Sequence, residues 1–207
     1  MIALIDYGMG NLHSVTKAIE RAGGRIRLVK TPEQLKDCDR IVLPGVGAFR
    51  DCIGALHQSG LDEAIKERCA AGTPFLGICL GMQVLLSRSF EFGEYKGLDM
   101  IPGDVICFPR TLPAKGLKIP HMGWNDVLLP EQAHPVLEAL GNQQCYFVHS
   151  YYCVPDDETH TLAQCGYGDI RFACAIGRDN IISVQFHPEK SQAAGLALLE
   201  SFLQWNP

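Results

Sequence analysis

In the first 80 residues of this chain, short apolar runs alternate with segments of helical spacing, and that alternation leaves few folds open. Ile2 to Ile5 reads as a short apolar strand. Asn11 to Ala22 carries Leu12, Val15, Ala18, Ile19 and Ala22 at helical spacing and stops at Gly23-Gly24. Ile26 to Val29 and Arg40 to Leu43 read as further strands, with a short Pro32-led helix between them. Ala48 to Leu56 and Leu61 to Ala71 read as helices, and Pro74 to Ile78 as a fourth strand. Strands separated by helices imply an α/β fold with a mostly parallel central sheet flanked by helices on both faces.

Beyond residue 83 the texture changes to short strand patterns broken by Gly and Pro, at about 100 to 108, 118 to 128, 144 to 153, 161 to 166 and 172 to 185. These are expected to be antiparallel additions and loops. A closing helix is expected over Ala193 to Trp205, with Leu196, Leu199, Phe202 and Leu203 as its apolar stripe. The 207 residues show no repeat, low-complexity tract or linker. One domain, 1–207, is therefore expected, large enough to bury roughly 70% of its unfolded surface.

Within this frame, Phe75-Leu76-Gly77-Ile78-Cys79-Leu80-Gly81-Met82-Gln83 runs from strand into turn into helical pattern, with one Cys between two glycines. That pattern reads as a nucleophile elbow with sulfur in place of oxygen. Gly77 and Gly81 would let a strained turn pack closely, leaving the Cys79 thiol exposed at a helix N-terminus whose dipole and free N–H groups favour the thiolate. The competing reading is a buried structural cysteine at a strand end.

The matching element is Gln185-Phe186-His187-Pro188-Glu189, after the strand pattern Ile181 to Val184. Pro188 pushes His187 into extended geometry, so His187 and Glu189 are expected to project to the same side, an imidazole beside a carboxylate. A base needs an acceptor on its second nitrogen, and a carboxylate two residues on can supply it. Read alone, His-Pro-Glu could be a solvated strand end; a Cys elbow in the same chain argues against that. The 108 residues between positions 79 and 187 must be brought together by the fold.

Composition excludes other classes. With 18 basic against 23 acidic side chains, the formal charge is −5 and no basic run exists, which argues against nucleic-acid binding. Nine cysteines, an odd number with no Cys-x-x-Cys pair, fit neither a zinc site nor a disulfide framework, so no metal is expected. Met1 to Asp6 lacks a basic signal-peptide region, and no apolar run approaches the roughly 20 residues needed to cross a bilayer. A reducing, cytoplasmic setting is expected. Gly8-Met9-Gly10 hints at a dinucleotide loop, but the third glycine's place is His13, and no P-loop motif occurs. No cofactor is expected.

With Gly-Ile-Cys-Leu-Gly-Met-Gln and His-Pro-Glu placed, the chain resembles the class I, or triad-type, glutamine amidotransferases, over essentially its whole length. Pro44-Gly45-Val46-Gly47, His121-Met122-Gly123-Trp124-Asn125 and Tyr146-Phe147-Val148-His149-Ser150-Tyr151 narrow the resemblance to the glutaminase subunits of imidazole glycerol phosphate synthase. It implies a flavodoxin-like sheet and hydrolysis of L-glutamine to glutamate and ammonia. The ammonia would pass to a separate cyclase subunit, a (β/α)8 barrel paired one-to-one with this chain, that makes imidazole glycerol phosphate and aminoimidazole carboxamide ribotide in histidine biosynthesis.

On this reading Cys79 is the nucleophile, His187 the acid and base, and Glu189 the residue that orients the imidazole. One oxyanion donor would be the N–H of Leu80, the residue after the nucleophile. The other would lie at Val46-Gly47, where flanking glycines permit the peptide to turn inward; a plain glycine turn is the alternative. Gln83, one helical turn beyond Cys79, could bond the substrate amino acid. The resemblance also places glutamine contacts at Gly47, His149, Ser150 and Tyr151, although His149, like His121, could equally be a satisfied buried histidine. Asn11, Trp124 and Asn125 resemble partner-interface residues, and Met9 could share that surface. His13, His57, His134 and His160 read as surface residues, and the other eight cysteines as small core hydrophobes.

Overall fold

Strands and helices alternate through the first half as follows: β1 (Ile2–Ile5), α1 (Leu12–Arg21), β2 (Ile26–Val29), α2 (Pro32–Leu35), β3 (Arg40–Gly45), α3 (Phe49–Ser59), α4 (Leu61–Ala70), β4 (Phe75–Cys79) and α5 (Leu80–Gln83). The second half contains β5 (Arg88–Ser89), β6 (Tyr95–Lys96), β7 (Gly103–Cys107), β8 (His121–Asp126), α6 (Pro135–Glu138), β9 (Gln144–His149), β10 (Tyr151–Pro155), β11 (Thr161–Tyr167), β12 (Ile170–Arg178), β13 (Ile181–Val184) and α7 (Gln192–Gln204). This computed structural model describes residues 1–207 apart from Asn142, and only the backbone of Lys115.

The main sheet runs β2-β1-β3-β4-β13-β12-β10-β7-β5-β6, with β11 against β12. Its first five strands are all parallel, in the doubly wound order 2-1-3-4-5, with β13 as the fifth. From β13 onward the neighbours β12, β10 and β7 pair antiparallel. The expected α/β architecture with antiparallel additions is what forms.

Because both faces of the parallel strands are covered, alternate side chains enter two different cores. Ile2 and Leu4 of β1, Val42 of β3 and Leu76 and Ile78 of β4 pack with Val15 and Ile19 of α1 and Leu198, Leu199 and Phe202 of α7. Ala3 and Ile5, Ile41 and Leu43, and Phe75 pack with Phe49, Ile53 and Leu56 of α3 and Leu61 and Ile65 of α4. Every residue of β1, β4 and β13 is buried, which is why these strands read as unbroken apolar runs.

The second half departs from expectation in several places. The 172–185 pattern is two strands, β12 and β13, joined through Asp179-Asn180, with Asp179 at φ 53°. The 144–153 pattern likewise divides into β9 and β10. The two-residue strands β5 and β6 and the one-turn helix α6 carry too few residues for any periodicity to show. In α7, Leu198 is buried while Leu196 and Leu203 of the expected stripe are half-buried.

Asn180 has a particular role in placing the site. Its amide donates to the carbonyls of Cys69 (2.9 Å) and Thr73 (2.6 Å), and its own carbonyl accepts the N–H of Phe75 (2.9 Å). The start of β13 is thus tied to the start of β4, and the pair runs in register from Ile181↔Phe75 to Val184↔Ile78. Their carboxyl ends, at Cys79 and just before His187, therefore emerge side by side.

Candidate active site

Cys79 sits at the junction of β4 and α5 with φ 56° and ψ −109°, a positive-φ conformation that costs a non-glycine residue about 1–3 kcal/mol. The glycines around it are sterically required. A Cβ on Gly81 would lie 1.9 Å from the carbonyl oxygen of Leu43, and one on Gly77 would lie 2.5 Å from that of Gly81. The Gly77 N–H donates to the Ser183 hydroxyl at 3.2 Å, joining elbow to β13. Two expectations are corrected. Cys79 is buried, at 7% exposure, in a cavity that Val148, His149, Ser150 and Tyr151 also line, and the following helix is only four residues long.

His187 continues beyond β13 in extended geometry, φ −102° and ψ 98°, ahead of Pro188. Its N–H donates to Tyr146 O (2.9 Å), and its carbonyl accepts from the Ser191 hydroxyl (2.7 Å), which in turn accepts from Tyr146 N–H (3.0 Å). The His187 Nδ1 meets Glu189 Oε1 at 2.8 Å with both side chains almost wholly buried, so the two residues do share a side. A carboxylate on Nδ1 fixes the proton there and turns Nε2 outward as the basic nitrogen. That Nε2 makes no hydrogen bond of normal geometry to any described residue, yet Cys79 is near enough to act on it electrostatically. Burial pushes the imidazole down, and the Cys79 sulfur and Glu189 carboxylate outweigh it, raising the pKa to about 9.

Cys79 and His187 line one cavity of about 340 Å³, together with Val46, Gly47, Leu80, Gln83, His149, Ser150 and Tyr151. The fold thus brings to one place every expected nucleophile, base, oxyanion and substrate residue; Glu189 stands behind the imidazole. Gly45 closes β3 opposite Cys79, and Gly47 follows at φ +100°, a backbone state that favours glycine. A larger surface groove of about 540 Å³ along β10, β11 and β12 contains no histidine and no nucleophile–base pair.

Some expected roles change. Both hydrogens on Gln83 Nε2 are taken, by Tyr151 O and Gln185 Oε1 at 3.0 Å each, so toward the cavity Gln83 offers only its oxygen. The His149 Nδ1 donates to Tyr151 O (2.8 Å), its Nε2 faces His121 Nδ1 (3.0 Å), and His121 Nε2 faces Asn125 Nδ2 (3.0 Å). Both imidazoles are satisfied buried histidines. Burial lowers His149 to about 3 and His121 to about 4. Asn125, expected at an interface, turns inward to His121 and the carbonyl of Gly166. Trp124, at 44% exposure, and Met122, at 64%, do face outward from the same strand. Asn11 is exposed, and its side-chain oxygen caps α1 at Ser14 N–H. His134 and His160 are half-buried, not surface residues, and Cys107 is exposed, not core.

Three residues escaped the sequence reading. Gln185 donates its amide to Cys79 Sγ at 3.6 Å; a polar residue between Val184 and Phe186, just past a buried strand, was the available signal. Glu91 lines the cavity while accepting Phe49 N–H (2.5 Å), and nothing in its local sequence marks it. Ser191 pins the His187 segment, as described above.

A sequence model of the family described as glutamine amidotransferase class-I matches residues 3–205. The chain belongs to the class-I glutamine amidotransferases. Among relatives of this amidotransferase, the imidazole glycerol phosphate synthase subunit HisH of Geobacter sulfurreducens is 50% identical over 203 residues, 97% of each chain. The protein of the same name from Syntrophotalea carbinolica is 48% identical over 205 residues, 98% of each. In fold the amidotransferase is similar to a crystal structure of glutamine amidotransferase, with a TM-score of 0.76 at 19% identity, covering 98% of this chain and 97% of that one. It is also similar to a Trypanosoma brucei CTPS glutaminase domain with bound acivicin, with a TM-score of 0.64 at 17% identity, covering 100% of this chain and 96% of that one.

Proposed function

We propose that this chain, as a single amidotransferase domain over residues 1–207, is the glutaminase subunit of an imidazole glycerol phosphate synthase. It hydrolyses L-glutamine to glutamate and ammonia and delivers the ammonia to a cyclase subunit in histidine biosynthesis. The observation that carries the mechanism is the Cys79 elbow in one buried cavity with an imidazole whose far nitrogen is held by a carboxylate at 2.8 Å.

The Cys79 thiolate attacks the side-chain carboxamide carbon of glutamine. The charged oxygen so formed meets the N–H groups of Leu80 and the Val46-Gly47 segment, each such donor being worth roughly 3 kcal/mol. His187 gives its proton to the departing ammonia, leaving a γ-glutamyl thioester on the sulfur, and then takes a proton from the water that opens it. Glu189 stabilises the imidazolium throughout. The Glu91 carboxylate and the free oxygen of Gln83 are both acceptors, suited to the substrate's α-ammonium, and Ser150 and Tyr151 form the opposite wall.

The family identity and the relatives' names support the pathway. Exposed Met122 and Trp124, next to cavity-lining Pro120, support a partner surface beside the site, and the partner is a (β/α)8 cyclase bound one-to-one. Nine unpaired cysteines suit a reducing cytoplasm. The test is glutamine turnover by the chain mixed with the cyclase and its ligand. Turnover is expected to rise when the cyclase is added and to vanish in Cys79→Ala. Activity surviving that substitution would overturn the mechanism, and full activity without any partner would indicate a stand-alone γ-glutamyl hydrolase.

A further inference from the structure

Same-face positions along β13 and its extension each serve the elbow. In a strand, side chains two apart point the same way, and Ser183, Gln185 and His187 are so spaced. The Ser183 hydroxyl accepts the Gly77 N–H, Gln185 Nε2 reaches Cys79 Sγ at 3.6 Å, and His187 shares the cavity with the sulfur. Of these contacts, the Gln185 amide is the one made to the sulfur itself by a group that carries no charge.

The orientation of that amide is fixed by a chain of obligate polarity. The Tyr151 carbonyl can only accept, so Gln83 must turn its NH2 toward it. The second hydrogen of the same nitrogen points at Gln185, which must then present its oxygen, at 3.0 Å. The Gln185 nitrogen is thereby left facing the sulfur. The side chain is 0% exposed, and its backbone N–H is held by Cys174 O at 2.9 Å, so the donor is fixed before any substrate arrives. A donor aimed at sulfur favours the anion over the thiol, because a thiolate accepts far more strongly.

We propose that Gln185 is a positioning residue that donates an amide N–H to the Cys79 thiolate and, held by Gln83 and the Tyr151 carbonyl, keeps the nucleophile ionised and aimed. This rests on the reading of Cys79 as nucleophile.

The test uses the full chain and two substitutions. Gln185→Met keeps the length and removes the donor, and Gln185→Glu keeps the shape and replaces donor with carboxyl. Alkylation of Cys79 by iodoacetamide is followed against pH at the Cys79 peptide by mass spectrometry, and glutamine turnover is measured with the cyclase present. In Gln185→Met the alkylation midpoint is expected to rise by about one pH unit, with kcat falling roughly tenfold and KM within about twofold. Gln185→Glu is expected to shift the midpoint further, since it adds negative charge beside the sulfur. Unchanged midpoints in folded variants, or an equal or smaller shift for Glu than for Met, would overturn the proposal. Failure of both variants to fold would also overturn it, by making the amide structural. Glutamine turnover surviving in Cys79→Ala with the cyclase present would instead overturn the nucleophile reading on which the proposal stands.

Discussion

Replacing Glu189 with Gln isolates the contribution of the carboxylate charge. The substitution keeps volume and one acceptor oxygen against the His187 Nδ1, so the 2.8 Å contact can persist while the charge is lost. The other carboxylate oxygen, Oε2, has no hydrogen-bond partner among the described residues, so the exchange strips no existing bond. A hydrogen bond to a charged group is worth about 1.5–3 kcal/mol, or roughly 10- to 150-fold at 1.4 kcal/mol per factor of ten. That loss should fall on kcat, because the imidazolium faces the sulfur and hands its proton to ammonia in the chemical steps, while KM for glutamine stays close to wild type. The pH profile should move as well. Burial pushes His187 down and is outweighed by Cys79 and Glu189 together to reach about 9, so removing one of the two lowers the imidazole. The descending limb of kcat/KM, set by loss of the proton that must reach ammonia, then shifts to lower pH. Steady-state glutaminase assays of the reconstituted pair from pH 6 to 10, with circular dichroism to confirm the fold, decide the matter. A folded Glu189→Gln enzyme within twofold of wild type, with an unmoved limb, would refute the role given to the carboxylate.

Gly81→Ala should lower Tm and glutaminase together, because its Cβ would meet the Leu43 backbone at 1.9 Å, where no rotamer change gives relief; overpacking of this kind costs about 1–3 kcal/mol or more, and an unchanged Tm would refute the packing account. Asn180→Ala should destabilise by about 1–3 kcal/mol in urea titration by leaving the Cys69 and Thr73 carbonyls without this donor, whereas a loss under 0.5 kcal/mol would mean the turn does not set the β4–β13 register. Stability should fall on acidification. His121 and His149 stay neutral when folded, down to about 4 and about 3, but charge near 6.5 when unfolded, so each costs about 2 kcal/mol between pH 7 and pH 5. His187, raised when folded, opposes this by less than about 1 kcal/mol over the same range, its own contribution being lost as pH rises from 6.5 through about 9. A flat unfolding free energy from pH 7 to 5 would contradict the neutral buried pair.

What could be read from sequence was what local physics dictates. The parallel half was legible because β1, β3 and β4 are buried on both faces and their apolar runs match the strand length. The elbow was legible because Gly77 and Gly81 have no room for a Cβ, and His187 because Pro188 holds it extended; the side it shares with Glu189 comes instead from the 3-10 turn Pro188–Lys190. What stayed hidden depends on contacts distant in sequence. Glu91 reaches the cavity through a loop that caps α3, 42 residues away in the chain. Gln185 acquires its meaning from Cys79 at a separation of 106 residues. His149, like His121, fitted two roles in sequence, and only the partners of both ring nitrogens place the two in a buried network, with Asn125 at its end.

The brevity of α5 changes where the nucleophile's charge must be stabilised. A macrodipole sums over aligned peptides, and four residues supply little of it. On the proposed reading the sulfur is held from the β13 side, by the imidazolium of His187 and the Gln185 amide, both on one buried strand extension. The segment proposed to hold the oxyanion follows β3 instead, with Val46 at 38% exposure and Gly47 at φ +100°. The site is thus divided between two strands flanking β4, one fixing the nucleophile and base, the other ending in a half-exposed glycine loop. If the proposed partner binds beside the cavity and reorients that loop alone, activation should appear in turnover of glutamine and leave the alkylation profile of Cys79 unmoved.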